Sequence, residues 1–170
     1  MRKRNVLVIV ASSIALAAVS SAGAGRNGVV ASANGGYAFS GAAAGSFFVI
    51  QPFTWNVRIH ADGAVSGQFG YTQVRDGVEL EVSGPLHCAT IIGDRVWVGG
   101  LIEESSRASL VGLDMWFQAQ DNGEGAQAAA DMSSTVGAGG PGAAQQYCTD
   151  HPAVMFPFFL EQGNLQVRDA

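Results

Sequence analysis

The sequence predicts an all-β fold, an antiparallel up-and-down barrel or a sandwich of about 6–8 strands with one disulfide. Three observations predict it. Apolar and polar residues alternate at period two in successive runs, the pattern of half-buried strands. Short turns such as Ala61-Asp62-Gly63-Ala64 and Asp76-Gly77 join the runs, and Gly adopts positive φ there at little cost. No segment beyond the first two dozen residues shows amphipathic helical periodicity, and Ala126 to Ala130 is too short to form a helix alone.

Residues 1–24 read as a secretory signal peptide. Arg2, Lys3 and Arg4 form a positive n-region, Val6 to Val19 an apolar h-region, and Ala22-Gly23-Ala24 a small-residue cleavage site. Ser12, Ser13, Ser20 and Ser21 interrupt the apolar run, whereas a spanning helix needs about 20 predominantly apolar residues. The expectation is a secreted or periplasmic protein that does not contact the membrane once the leader is cleaved.

Residues 25–46, rich in Gly, Ala and Ser, read as a flexible arm leading into a first short strand at Gly36 to Ser40, where Tyr37 and Phe39 alternate with Ala38. A single β-domain then occupies 47–170. Phe53, Trp55, Val57 and Ile59 alternate with Thr54, Asn56, Arg58 and His60. The return strand places Val65, Gly67, Phe69 and Tyr71 on one face. Val78, Leu80 and Val82 alternate with Glu79, Glu81 and Ser83, and Pro85 predicts a bulge or an edge there because it lacks a ladder donor.

After Gly93-Asp94, the run Arg95 to Glu103 is apolar on both faces and reads as a central strand. Leu113, Met115, Phe117 and Ala119 form the next, with Trp116 out of phase and facing the other side. Met132 to Val136, Phe156 to Leu160 and Leu165 to Val167 complete the candidates. Gly137 to Tyr147 reads as a loop. Sequential hairpins tilt the choice towards the barrel and leave the sandwich open.

Cys88 and Cys148 are the only cysteines, and in an oxidising compartment a matched pair predicts a disulfide. The leader contains three of the nine cations and none of the fourteen carboxylates, so what remains is more acidic and its six cations are all arginines. Such a surface repels phosphate backbones and argues against nucleic acid as a partner.

Asp121-Asn122-Gly123-Glu124-Gly125, with Asp131 beyond it, has two readings. Asp-Asn-Gly is first a turn sequence, while Asp121, Glu124 and Asp131 supply the hard oxygens of a low-affinity calcium site, although the spacing does not match a helix-loop-helix calcium loop. No other cofactor is expected. Trp55, Trp97, Trp116 and Tyr71 are candidates for a sugar platform, with core packing as the simpler reading. His60, His87 and His151 lack the close partners of a zinc site. Glu103 and Glu104 are adjacent and point to opposite faces of a strand, whereas Glu79 and Glu81 share one. No nucleophile elbow, P-loop or dinucleotide fingerprint occurs.

The run into Asp121-Asn122-Gly123-Glu124-Gly125 and the terminal Gly163-Asn164-Leu165-Gln166-Val167-Arg168 resemble the bacterial secreted β-domains of the post-COAP type, from about Phe53 to Arg168. This chain departs from them in its Gly/Ala stretch and Cys148 loop. The resemblance implies an extracytoplasmic β-domain and supplies no catalytic residue. The functional expectation is a non-enzymatic binding or cell-exterior module. The alternative is a barrel that binds or cyclises a small apolar ligand, which requires a cavity lined by Trp55, Phe69, Met115 and Phe117 together with Phe53. A hydrolase using Asp121 and Glu124 requires them to face each other across a cleft.

Overall fold

Period-two patterning becomes long antiparallel strands in the computed structural model, which describes residues 28–43, 46–125, 127–153 and 158–169. The expected leader lies outside the described residues. Strands β1 (Val29–Ala43), β2 (Ser46–His60), β3 (Val65–Arg75), β4 (Val78–Ile92) and β5 (Arg95–Leu101) run as a meander. Short β6 (Glu104–Ser105), β7 (Asp114–Gln120), β8 (Met132–Ser133) and β9 (Gly137–Gly139) follow, then helix α1 (Ala143–Asp150), β10 (Phe158–Phe159) and β11 (Gln162–Arg168). All belong to one sheet in the order β10-β8-β7-β5-β4-β3-β2-β1-β11, with β6 on β4 and β9 on β7. The sheet curls into a half-barrel. A single sheet is not a sandwich, and its eleven strands exceed the six to eight expected.

Curvature enters where an extra residue breaks the ladder. Register shifts fall between Tyr37 and Phe39, Ile50 and Phe53, and Leu86 and Cys88, and such bulges bend a strand and raise its twist. The sheet thereby wraps one core. Phe39, Phe48, Phe53, Phe117, Ile50, Met115 and Leu165 are fully buried on the inner face, each contributing roughly 1.5–3 kcal/mol over exposure.

The stretch expected to be a flexible arm is instead β1, hydrogen-bonded to β2 on one edge and β11 on the other. Its small residues make room for rings: a Cβ on Gly35 would collide with Tyr37 and Trp55. Pro85 does not place β4 at an edge either. It pairs opposite Gln68, and beside it the other edge of β4 changes partner from β6 to β5, with the bulge just beyond at Leu86/Cys88. Gly84 permits that exchange, because a Cβ there would strike the carbonyl oxygen of Leu101 where the chain crosses.

The expected loop Gly137 to Tyr147 contains β9 and most of α1. The N-cap of α1, Gly142, offers no side chain. Its capping group comes from the sheet: buried Asp114 Oδ2 accepts the amide of Ala144 at 3.1 Å. Thr90 Oγ1 donates to the carbonyl of Cys148 at 2.9 Å, and a Cβ on Gly99 would clash with Cys88 and Ala144. An eight-residue helix is marginal alone, so tertiary contacts hold this one.

Candidate functional site

The half-barrel interior is filled by side chains. Phe53 and Trp55 pack edge-on against Phe117 with ring centroids 4.8 and 5.1 Å apart, and Phe53 meets Tyr71 at 5.6 Å. Trp55 and Phe69 are each 4% exposed, while Met115 and Phe117 are not exposed at all. These residues, expected to line a cavity if one existed, form the core. Trp55 Nε1 donates to the Tyr37 hydroxyl at 3.0 Å, and that hydroxyl lies 3.1 Å from Ser133 Oγ. This polar chain runs from β2 through β1 to β8. Burial raises the Tyr37 pKa far above its ordinary value and pushes that of Tyr71 up to about 12.

The Asp121–Gly125 loop acts as a clasp. Asp121 Oδ1 accepts the amide of Gly123 and Oδ2 that of Val167 in β11, both at 2.9 Å. Asp131 Oδ1 accepts the amide of Asn122 at 2.9 Å, and Asn122 Nδ2 donates to the carbonyl of Ala130 at 2.6 Å. The carboxylates thus fix backbone, and Asp121 links the end of β7 to β11 where no ladder joins them. Glu124 is exposed at the loop tip, whereas both oxygens of Asp121 are taken by backbone amides. Burial raises the pKa of Asp131 and the nearby charges of Asp121 and Glu124 add to this, against the lowering hydrogen bonds from Asn122 and Leu165. Among the described residues, no group of three or more His, Cys, Asp or Glu is placed to hold a metal.

Cys88 on β4 and Cys148 on α1 stand at disulfide distance, with Cα atoms 6.1 Å apart. They pin the helix to the outer face of the sheet, where it shelters the tryptophans that point away from the core. Trp116 packs 6.0 Å from Tyr147 and beneath Gly137, while Trp97 donates through Nε1 to the carbonyl of Pro152 at 3.0 Å and lies 5.3 Å from His151. Trp97 is buried and Trp116 is half-buried there. His151 ends α1 in the left-handed region at φ 47°, and His60 Nε2 is 2.9 Å from Ser66 Oγ.

A different surface forms a cleft. On the outer face of β2, β3 and β4, Gly70 lies between Thr54 and Ser83, and the missing side chain leaves a depression. β6 walls it, pairing Glu104 opposite Ser83. The cleft has a volume of about 490 Å³; Thr54, Thr72, Ser83, Ser105 and Ser106 supply hydroxyls, Glu81 and Glu104 carboxylates, and among the described residues no Lys or Arg lines it. Ser83 Oγ donates to Glu104 Oε2 at 3.3 Å, and Ser106 Oγ accepts the amide of Glu81 at 3.0 Å. The alternation had placed Glu81 on an outward face. It gave no sign of Glu104 opposite Ser83, which depends on the crossing at Gly84.

The fold and site define a single-sheet antiparallel half-barrel with a filled interior, a helix pinned outside, and a polar cleft on its outer face. No family model, curated protein or solved structure matches the chain. Among the described residues no helix is long and apolar enough to cross a membrane.

Proposed function

We propose that the chain is an exported, non-enzymatic binding domain that receives a cationic group of a cell-exterior partner in the cleft at Gly70. The observation that carries this reading is the convergence of Glu81 and Glu104 among hydroxyls in a cleft that no Lys or Arg among the described residues lines. Carboxylates in a concave site attract cations and raise their encounter rate, and hydroxyls can accept the remaining ammonium hydrogens. An acidic chain steers the same class of ligand. The Cys88–Cys148 pair fits an oxidising compartment. Trp55, Phe69, Met115 and Phe117, the residues named for an apolar cavity, are packed into the core, which favours the cleft over the apolar-ligand barrel.

Titration calorimetry with spermine and oligolysine at low and high salt tests the proposal. The expected result is salt-sensitive binding that falls about tenfold or more in Glu81→Gln/Glu104→Gln. Gly70→Val should block the cleft while preserving the fold, since a Cβ there meets nothing closer than 3.8 Å. Binding that ignores all three substitutions would retire the cleft as the site.

A further inference from the structure

Beyond the filled middle of the half-barrel, at the end where β3 turns into β4, the inner face of the sheet opens into another cavity. Its volume is about 260 Å³, and Gln73, Arg75, Asp76, Val78, Leu80 and Arg107 line it. Two of the chain's nine cations meet here, in a protein with fourteen carboxylates. Arg75 lies over the Phe48 ring, its guanidinium carbon 5.6 Å from the centroid, and its Nε is buried with no hydrogen-bond partner among the described residues. Arg107 reaches in from the segment after β6, where its amide is held by Ser105 Oγ at 3.1 Å. Beside these charges stand apolar Leu80 and Val78, the latter 59% exposed.

A guanidinium stacked on a ring keeps its orientation and presents a planar fork of donors, the geometry that carboxylates match with two parallel hydrogen bonds. A second arginine across a small cavity adds charge without adding an acceptor. Asp76 stands at the rim and weakens the field. The apolar wall favours a ligand with a hydrocarbon body beside its anionic head.

We propose that this mouth cavity binds a small carboxylate with a short apolar body, with Arg75 and Arg107 holding the carboxylate and Val78 and Leu80 covering the apolar part. The site lies on the opposite face of the sheet from the Gly70 cleft and does not depend on the reading of that cleft.

The test is nuclear magnetic resonance titration of the purified protein with acetate, butyrate, benzoate and inorganic phosphate. Butyrate and benzoate should shift the resonances of residues 73–80 and 107 and bind more tightly than acetate or phosphate. Arg107→Gln, at an exposed side chain, should weaken benzoate binding about tenfold and leave the melting temperature unchanged. Asp76→Asn should strengthen it, because the rim charge is removed while Asn tolerates the left-handed φ of 51° at that position. Absence of shifts with all four anions overturns the proposal. So does phosphate binding as tightly as benzoate, or an Arg107→Gln protein with unchanged affinity.

Discussion

The meander β1–β5 and the closing region from β7 to β11 share one sheet and one core, but the closing region leans in addition on long-range polar bonds. In the meander, long strands pair over up to fifteen residues and bury Phe39, Phe48, Phe53 and Val57 from alternating positions. In the closing region the strands β8, β9 and β10 are two or three residues long, and long-range polar bonds supply the order. Asp121 reaches Val167, Asp114 caps α1, and Ser133 meets Tyr37. Apolar burial is written locally as a period of two. A carboxylate that accepts an amide 46 residues away leaves no such mark.

The largest expected break is in the core shared by both regions. Phe117→Ala on β7 removes a ring that touches Phe53 and Trp55 and should cost about 3–5 kcal/mol in urea denaturation. Next is the Cys88→Ala/Cys148→Ala pair. A bridge spanning 60 residues constrains the unfolded chain by about 4 kcal/mol on the chain-entropy model, and its loss should free α1 before the meander. Exchange of the α1 amides should then accelerate more than that of β2.

Asp121→Ala should cost about 1.5–3 kcal/mol, since it strands the amides of Gly123 and Val167, each bonded to an ionised group. Asp131→Asn is the smallest change. The folded pKa of Asp131 is raised above 3.8, so between 3.8 and that raised value the folded state binds the extra proton and stability falls as pH rises. Asn carries no charge and keeps one acceptor oxygen for the two amides, of Asn122 and Leu165, that Asp131 serves. The variant should lose this pH dependence, as read from melting temperatures across an acid series.

These contrasts follow what was legible in the sequence. The faces of β2, β3 and β4 were readable because Phe53, Trp55 and Phe69 alternate with polar residues, and the cysteine pairing followed from their number and expected compartment. Gly36 to Ser40 of β1 was readable from Tyr37 and Phe39, but the rest of β1 was hidden because Gly35 must stay small beneath the Tyr37 and Trp55 rings and a run of Gly and Ala looks like an arm. α1 was hidden because its cap, Asp114, lies 30 residues upstream and its own sequence has no apolar stripe. The Asp121 loop was noticed for its carboxylates, but their partners are backbone amides, of Gly123 and Asn122 within the loop and of Val167 on distant β11. The Gly70 cleft and the arginine mouth depend on pairings that alternation does not specify.

Native-state hydrogen exchange of Asp121→Ala compared with the unaltered protein tests most directly the claim that a polar clasp ties β11 to the end of β7. The account predicts that the amide of Val167 in β11 loses protection while those of Trp55 and Phe69 in the meander keep theirs. Equal loss in both regions, or unchanged protection at Val167, would contradict it.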